Sequence, residues 1–429
     1  MQSNTYISLL GRQPELSLAE LEQCFGTLER IGDVAATFDS TNIPDIQRLG
    51  GSIKLGEVVA ELDTADWGKI SRKIVQYYAD RLADFDGKVT LGVSVYGREV
   101  PPRDVQRTGL TLKSALKKHA VSMRLIPNDG PALSTATSHH NKLGLSPNKI
   151  EIIVVYGNKK VLVAESLGTQ NITALAARDQ GRPKRDAFVG MLPPKLALMM
   201  VNLSGLPTTS HQTDSDFGPS SGTHPERSSA SSASETDSGD DDGRQSRTQG
   251  LTILDPFCGT GVLLQEAALL GFDVYGTDLA EKMVDYSKAN LEWLSKKHRI
   301  GSVRIEAGDA VEHSWQPPID AVVAETYLGQ PFSAPPAPDK LDKVVSVVDT
   351  IIAKFLANLH DQIKPDTPLC LAVPAWRSAT GWFTYLPVIK KLESLGYEWQ
   401  NLESVDTKQL TYYREDQVVA RQLLLLTRR

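Results

Sequence analysis

The chain has 429 residues and a mass of 46.9 kDa, with 46 basic and 52 acidic side chains and a formal charge of −6. Its 41% apolar and 23% charged residues are those of an ordinary soluble globular protein. No run reaches the roughly 18 apolar residues of a membrane span, and the start carries no basic-then-apolar secretory leader. Cys24, Cys258 and Cys370 are too scattered for a disulfide framework or a cysteine zinc site, so the sequence predicts a reducing cytoplasm and no metal.

Length predicts two or three domains. The first 200 residues mix strands and helices. Tyr6–Leu10 reads as a strand. Ser17–Phe25 reads as a helix, with Ser17 as N-cap and Glu20 closing a capping box. Lys54–Leu62 reads as a strand, Asp66–Asp80 as a helix, Val89–Tyr96 as a strand and Thr108–Ala120 as a helix. Ile150–Tyr156 and Lys160–Ser166 form a hairpin around Gly157–Asn158. The pattern is α+β, with subdomains expected at 1–80 and 81–175, then a linker and first catalytic helix at 176–204.

Residues 205–250 are rich in Ser, Gly, Asp and Thr and nearly devoid of large apolar side chains. Such a stretch cannot bury enough surface to offset its chain entropy, so it is expected to be a disordered insertion. It also explains the charge: it holds eight acids and three bases, and the remainder is near neutral with 43 basic and 44 acidic residues.

From 251 to 429 strands and helices alternate, which predicts a doubly wound, mostly parallel sheet. Strands are expected at Leu251–Asp255, Asp273–Thr277, Ser302–Glu306, Ala321–Ala324 and Leu369–Val373. Helices are expected at Gly261–Leu270, Ala280–Lys297, Asp339–Gln362 and near Tyr385–Leu395. Glu398–Ser404 and Val418–Thr427 close the chain as two strands, one of them antiparallel.

The most informative segment is Leu254-Asp255-Pro256-Phe257-Cys258-Gly259-Thr260-Gly261, between a strand and a helix. Its glycines admit a ligand to the backbone, and Asp255 stands where a cationic or amine-bearing ligand would lie. A nicotinamide fingerprint wants a third glycine where Leu264 stands. Asp278 ends the second strand, where a carboxylate accepts both ribose hydroxyls. Asp309, in the Gly308-Asp309-Ala310 turn, is placed to accept from an adenine amino group. Plainer readings exist for each, as helix-end or turn acids. Cys258 reads as a small buried filler.

These features resemble the S-adenosylmethionine site of amino-group methyltransferases, and in particular the THUMP-domain tRNA guanine-N2 methyltransferases. Three further segments are similar to that family: Leu175–Pro183 to its R-D-x-x-R-P linker, Val189–Ala197 to the opening of its catalytic domain, and Tyr413–Arg421 to its terminal hairpin. The resemblance implies a Rossmann-like class I methyltransferase fold with a seven-stranded sheet, behind a ferredoxin-like and THUMP-like RNA-binding region. It implies S-adenosylmethionine as cofactor, held by Asp255, Phe257, Gly259, Gly261, Asp278, Asp309 and Ala310. The implied reaction is methylation of N2 of a guanosine in tRNA, at guanosine-10. The expected partner is tRNA, with a small activator subunit as a further candidate and no membrane.

Where the family has Asp-Pro-Pro-Tyr after its fourth strand, this chain has Ala324-Glu325-Thr326-Tyr327-Leu328-Gly329. Glu325 can accept from the target amine and Tyr327 can offer a flat face to a flipped base, so these two are the catalytic candidates. Glutamate is one methylene longer than aspartate, and misplacing a reacting group by about an ångström can cost around 100-fold in rate. Between Lys88 and Arg124, eight basic residues face two acids. Clustered cations on a near-neutral body fit phosphate contacts. Arg103, Arg107, Lys113, Lys117, Lys118 and, from the linker, Arg178 are the RNA-binding candidates; Arg178 with Asp179 also reads as an interdomain ion pair. Two competing functions remain. One is a DNA adenine-N6 or cytosine-N4 methyltransferase, and the other a tRNA-binding protein whose catalysis has decayed.

Overall fold

The computed structural model describes residues 3–186, 192–207 and 250–429. Apart from its first three positions and its last, the 205–250 insertion lies outside the described residues, as does the start of the Val189–Ala197 segment.

The N-terminal half runs β1 (Asn4–Leu10), α1 (Pro14–Phe25), β2 (Leu28–Ile31), β3 (Ala35–Ser40), β4 (Ser52–Leu62), α2 (Trp67–Arg81), β5 (Lys88–Tyr96), α3 (Pro102–Lys118), β6 (Ser122–Leu125), α4 (Thr135–His140), β7 (Lys149–Tyr156) and β8 (Val161–Thr169). All eight strands form one sheet in the order β2-β3-β1-β4-β8-β7-β5-β6. The division drawn at residue 80 falls in the last turn of α2, and β4 pairs with β8 across it.

Two short helices, α5 (Ile172–Gln180) and α6 (Pro194–Leu203), lead to the second half. There follow β9 (Thr252–Asp255), α7 (Val262–Leu269), β10 (Asp273–Asp278), α8 (Glu281–Ser295), β11 (Val303–Ala307), β12 (Ala321–Glu325), α9 (Pro338–His360), β13 (Pro368–Arg377), β14 (Phe383–Thr384), β15 (Tyr397–Trp399), β16 (Thr411–Tyr412) and β17 (Val419–Arg428). Seven strands line up as β11-β10-β9-β12-β13-β17-β15, with the two-residue strands β14 and β16 beside β13 and β17. β9 to β13 are mutually parallel, and β17 is antiparallel to β13 and β15. This is the class I methyltransferase architecture.

The sequence of β17 shows why both faces of that sheet are covered. Alternate residues of a strand point to opposite faces. Leu423 and Leu425 join the core under α6, α7 and α8, while Leu424 and Leu426 join the core under α9. A run of four leucines is therefore what a doubly covered strand needs. The strand order reverses between β9 and its neighbours β10 and β12, which opens a crevice above their C-terminal ends.

Three local expectations are corrected. Helix α1 begins at Pro14, three residues before Ser17. Proline is well placed in a first turn because its missing N–H would have no partner there. Ser17 is instead buried, donating to the Gly51 carbonyl at 2.8 Å. The carboxylate of Glu20 accepts from the Gly50 and Gly51 amides, both at 2.7 Å, rather than closing a capping box. The helix expected near Tyr385–Leu395 is two 3₁₀ turns, Pro387–Lys391 and Glu393–Leu395. Pro387 starts the first and a left-handed Gly396 ends the second. The strand expected over Glu398–Ser404 is only the three-residue β15.

Candidate active site

Above β9, β10 and β12 lies a cavity of about 800 Å³. Its lining brings together Asp255, Phe257, Gly259, Asp278, Asp309, Ala310, Glu325 and Tyr327, residues that the chain spreads over some 70 positions. Leu192, from the segment expected to open the catalytic domain, also lines it.

The loop after β9 is shaped by two glycines with positive φ, Gly259 at 50° and Gly261 at 79°. A Cβ on Gly261 would stand 2.8 Å from the Ser287 hydroxyl oxygen, so this position tolerates no side chain on two counts. Neighbouring elements hold the loop. Asp278 accepts from the Gly259 amide with one carboxylate oxygen and from the Ala280 amide with the other, each at 2.9 Å. On α8, Ser287 donates to the Gly259 carbonyl at 2.9 Å and Asn290 to the Thr260 carbonyl at 2.8 Å. Gly261 therefore supports the loop and does not line the cavity. Ser287 and Asn290 escaped the sequence reading because they read as ordinary helix residues.

The electrostatics point to a cationic ligand. Asp255 is only 2% exposed and accepts a hydrogen bond from the Phe257 amide at 3.1 Å. Burial pushes its pKa well above the usual carboxylate range, and the charges of Asp278 and Glu325 push the same way against that amide. Burial also raises Asp278, opposed by its two backbone amides. Buried carboxylates without cationic partners are costly, and a bound cation offsets the cost. Asp309 accepts from the Val311 amide at 3.1 Å, which fixes the turn after β11 at the cavity wall.

At the other side of the cavity, Glu325 ends β12. One of its oxygens accepts from Nε of Arg421 on β17 at 2.5 Å, and the side chains are only 16% and 8% exposed. Arg421 is the main functional residue that sequence reasoning missed. It lay inside the segment similar to the family's terminal hairpin, but nothing local ties it to a residue 96 positions away. Tyr327 is 46% exposed at the mouth, so it does not pack in the core.

The RNA-binding candidates divide. Arg103, Arg107, Lys113, Lys117 and Lys118 are all exposed on one face of α3, whose other face buries Val105, Leu112 and Leu116. Arg178 is corrected: its Nε and Nη2 donate to the two carboxylate oxygens of buried Glu266 on α7, at 2.7 and 3.0 Å. It is an interdomain ion pair, as the alternative reading had it, but with Glu266 in place of Asp179, and it is not displayed to a nucleic acid.

Fold and site together define a methyltransferase domain, and residues 247–385 match a family model described as "Methyltransferase domain". Parts of the chain are similar in sequence to curated tRNA methyltransferases. A tRNA (guanine(10)-N2)-dimethyltransferase of Methanothermobacter thermautotrophicus is 28% identical over 198 residues, 46% of this chain and 43% of that protein. One of Pyrococcus abyssi is 39% identical over 82 residues, 19% of this chain and 21% of that one. The matched stretches thus span less than half of either relative's length. Among solved structures, TrmN from Thermus thermophilus aligns over 99% of this chain and 100% of its own, at 16% identity and a TM-score of 0.48. Among the described residues, no helix is long and apolar enough to cross a membrane.

Proposed function

We propose that the protein transfers a methyl group from S-adenosylmethionine to the exocyclic N2 of a guanosine in tRNA, with guanosine-10 as the target suggested by the relatives' names. The observation that carries the reading is the single cavity in which cofactor-type acids (Asp255, Asp278, Asp309) meet an acceptor acid and an exposed ring (Glu325, Tyr327). When bound, S-adenosylmethionine supplies a methyl group on an electrophilic sulfonium. In this reading Asp278 takes the ribose hydroxyls, Asp309 the adenine amine, and Asp255 the cationic end of the ligand.

An amine conjugated to a base is a poor nucleophile, so the work of the chain is to position it and to stabilise the positive charge it acquires. Glu325 accepts from the amine, and Tyr327 packs on the flipped base. Held by Asp255, Asp278 and Asp309, the cofactor would supply the methyl group as an electrophile and would leave as the neutral thioether. The surplus N–H proton passes to Glu325 or to water. The exposed cations of α3 take the tRNA backbone. The halves of the first domain keep the roles set out above, a ferredoxin-like part and a THUMP-like part.

Incubation with methyl-labelled cofactor and either unmodified tRNA or duplex DNA, followed by nucleoside analysis, tests the reading. Labelled N2-methylguanosine is the expected product. Methylated adenine or cytosine in DNA would replace it with the DNA-enzyme reading, and cofactor and tRNA binding without any product would favour decayed catalysis. Glu325→Ala should bind cofactor as the parent does and lose about 100-fold or more in transfer; full activity in that variant would remove Glu325 from the mechanism.

A further inference from the structure

Above the cavity the sheet carries an exposed aromatic group that the reaction just described does not use. Parallel strands β12 and β13 pair Glu325 with Ala372, and β13 continues to Arg377. At about 3.3 Å per residue, that carries it roughly 16 Å past the level of Glu325. β13 then turns back through Ser378–Gly381 into β14, pairing Trp376 with Thr384 and Arg377 with Phe383. The hairpin tip presents Trp382 at 80% exposure. Tyr385 and Tyr413 are 41% and 36% exposed. Phe383 contacts both tyrosine rings, with centroids 6.1 and 5.6 Å away.

At 80%, Trp382 is the most exposed of the large hydrophobic side chains among the described residues, whereas Trp315 and Trp376 are at or below 4%. It is also held in place: its amide donates to the Ser378 hydroxyl at 3.1 Å, and its carbonyl accepts from the Ser378 amide at 2.8 Å. A guanidinium group borders the rings: Arg377 lies 5.4 Å from the Tyr413 centroid.

Position argues for what covers this patch. The loop that carries Tyr327 runs into Gly329, where an added Cβ would come within 3.9 Å of the Trp376 indole. The mouth of the cavity and the base of the hairpin are therefore contiguous. From the other side, Gln13 of the N-terminal half donates to the Tyr413 carbonyl at 2.7 Å. The patch sits where the two halves of the protein meet, beside the entrance to the site. Exposed rings with a guanidinium neighbour suit the π-faces of unpaired bases, and such stacking tolerates any sequence.

We propose that Trp382, Phe383, Tyr385 and Tyr413, bordered by Arg377, form a stacking surface for unpaired nucleobases of the RNA next to the target nucleotide. This rests on the reading of the site as an RNA methyltransferase. A base pulled out of a helix leaves neighbours unstacked, and the surface replaces the stacking they lose. It acts on substrate binding and leaves cofactor binding alone.

The test compares Trp382→Ala, Phe383→Ala and the conservative Trp382→Phe with the parent full-length protein. Trp382 is largely solvent-exposed, so its removal should leave folding intact, and unchanged S-adenosylhomocysteine affinity verifies this. Base stacking predicts a rise in KM for tRNA of roughly 5- to 150-fold in Trp382→Ala, with kcat less affected and Trp382→Phe close to the parent. Transcripts carrying 4-thiouridine should crosslink to the 378–386 peptide. Normal tRNA kinetics in both alanine variants would overturn the inference while leaving the methyltransferase reading intact. A parent protein that transfers no methyl but crosslinks RNA through this peptide would sink the catalytic reading and keep the surface. Self-association of the parent that Trp382→Ala abolishes, with RNA kinetics unchanged, would make the patch a contact between copies of the chain and overturn the inference.

Discussion

At the scale of single residues, the cofactor side of the site is governed by carboxylates, foremost the buried Asp255. Asp255 gives the sharpest consequence. Asp255→Asn keeps an oxygen to accept from the Phe257 amide but removes the buried charge. The ligand-free protein should gain about 1–2 kcal/mol of stability, while cofactor affinity falls roughly 10- to 100-fold. The sign follows from the raised pKa: the buried charge costs stability at neutral pH, and the gain should vanish below about pH 4, where both folded and unfolded forms are protonated. Denaturant melts paired with calorimetric titration check both halves, and a variant that binds as the parent does would remove Asp255 from the site. Arg421→Ala should act differently. It leaves the acids of the cofactor side untouched and frees Glu325 from its anchor, so transfer should fall roughly 10- to 100-fold with cofactor affinity within about twofold of the parent. Asp255, Asp278 and Asp309 could be read from sequence because each sits in a local motif at a strand end. Arg421 could not, since its meaning depends on two strands that meet only through β13.

At the scale of elements, hydrophobic period and glycine chemistry carried most of the information. The strands of the second half were visible as apolar runs, and the leucines of β17 made a doubly covered strand plain. What escaped were β2, β3 and β6, which are short and borrow their stability from neighbours, and the 3₁₀ turns after β14. In that segment a helical apolar pattern is overridden by Pro387 and by the Val388 amide donating to Asp349 on α9 at 2.6 Å. The loop after β9 shows the reverse case, in which local geometry leaves no alternative. Gly261→Ala must adopt a left-handed backbone against Ser287 and Leu291. We expect a loss of about 1–3 kcal/mol and a weakened cofactor site. Thermal melts with and without S-adenosylhomocysteine measure both, and an unaffected variant would show that the loop relaxes freely.

At the scale of the whole molecule, polar contacts join the halves. Leu16 and Ala19 of α1 belong to the same core as α6 and α7. Glu20 accepts from Asn202 on α6 at 2.7 Å, Glu22 accepts from the Glu403 and Ser404 amides, and Arg178 grips Glu266. Burial raises the Glu20 pKa to about 7, against the three donors that favour its charge. The folded state then holds a proton that the unfolded chain releases near pH 4.5. Stability should accordingly fall as pH rises from about 4.5 to 7, by up to about 3 kcal/mol from this group. The urea midpoint of Glu20→Gln should lack that part of the decline, and identical pH dependence in both proteins would show that Glu20 titrates normally. Of these junctions only Arg178 was legible beforehand, as an interdomain ion pair with the wrong partner; the others pair residues far apart in the chain whose neighbours carry no shared pattern.

The claim on which the functional reading turns is that the methyl group goes to the 2-amino nitrogen of guanine. Inosine lacks that amine and keeps the rest of the base. Two tRNA transcripts, identical but for guanosine or inosine at position 10, should be compared for label uptake from methyl-labelled S-adenosylmethionine. Uptake by the guanosine transcript and its loss in the inosine transcript, with tRNA affinity unchanged, is the predicted result. Equal uptake by the two would contradict it.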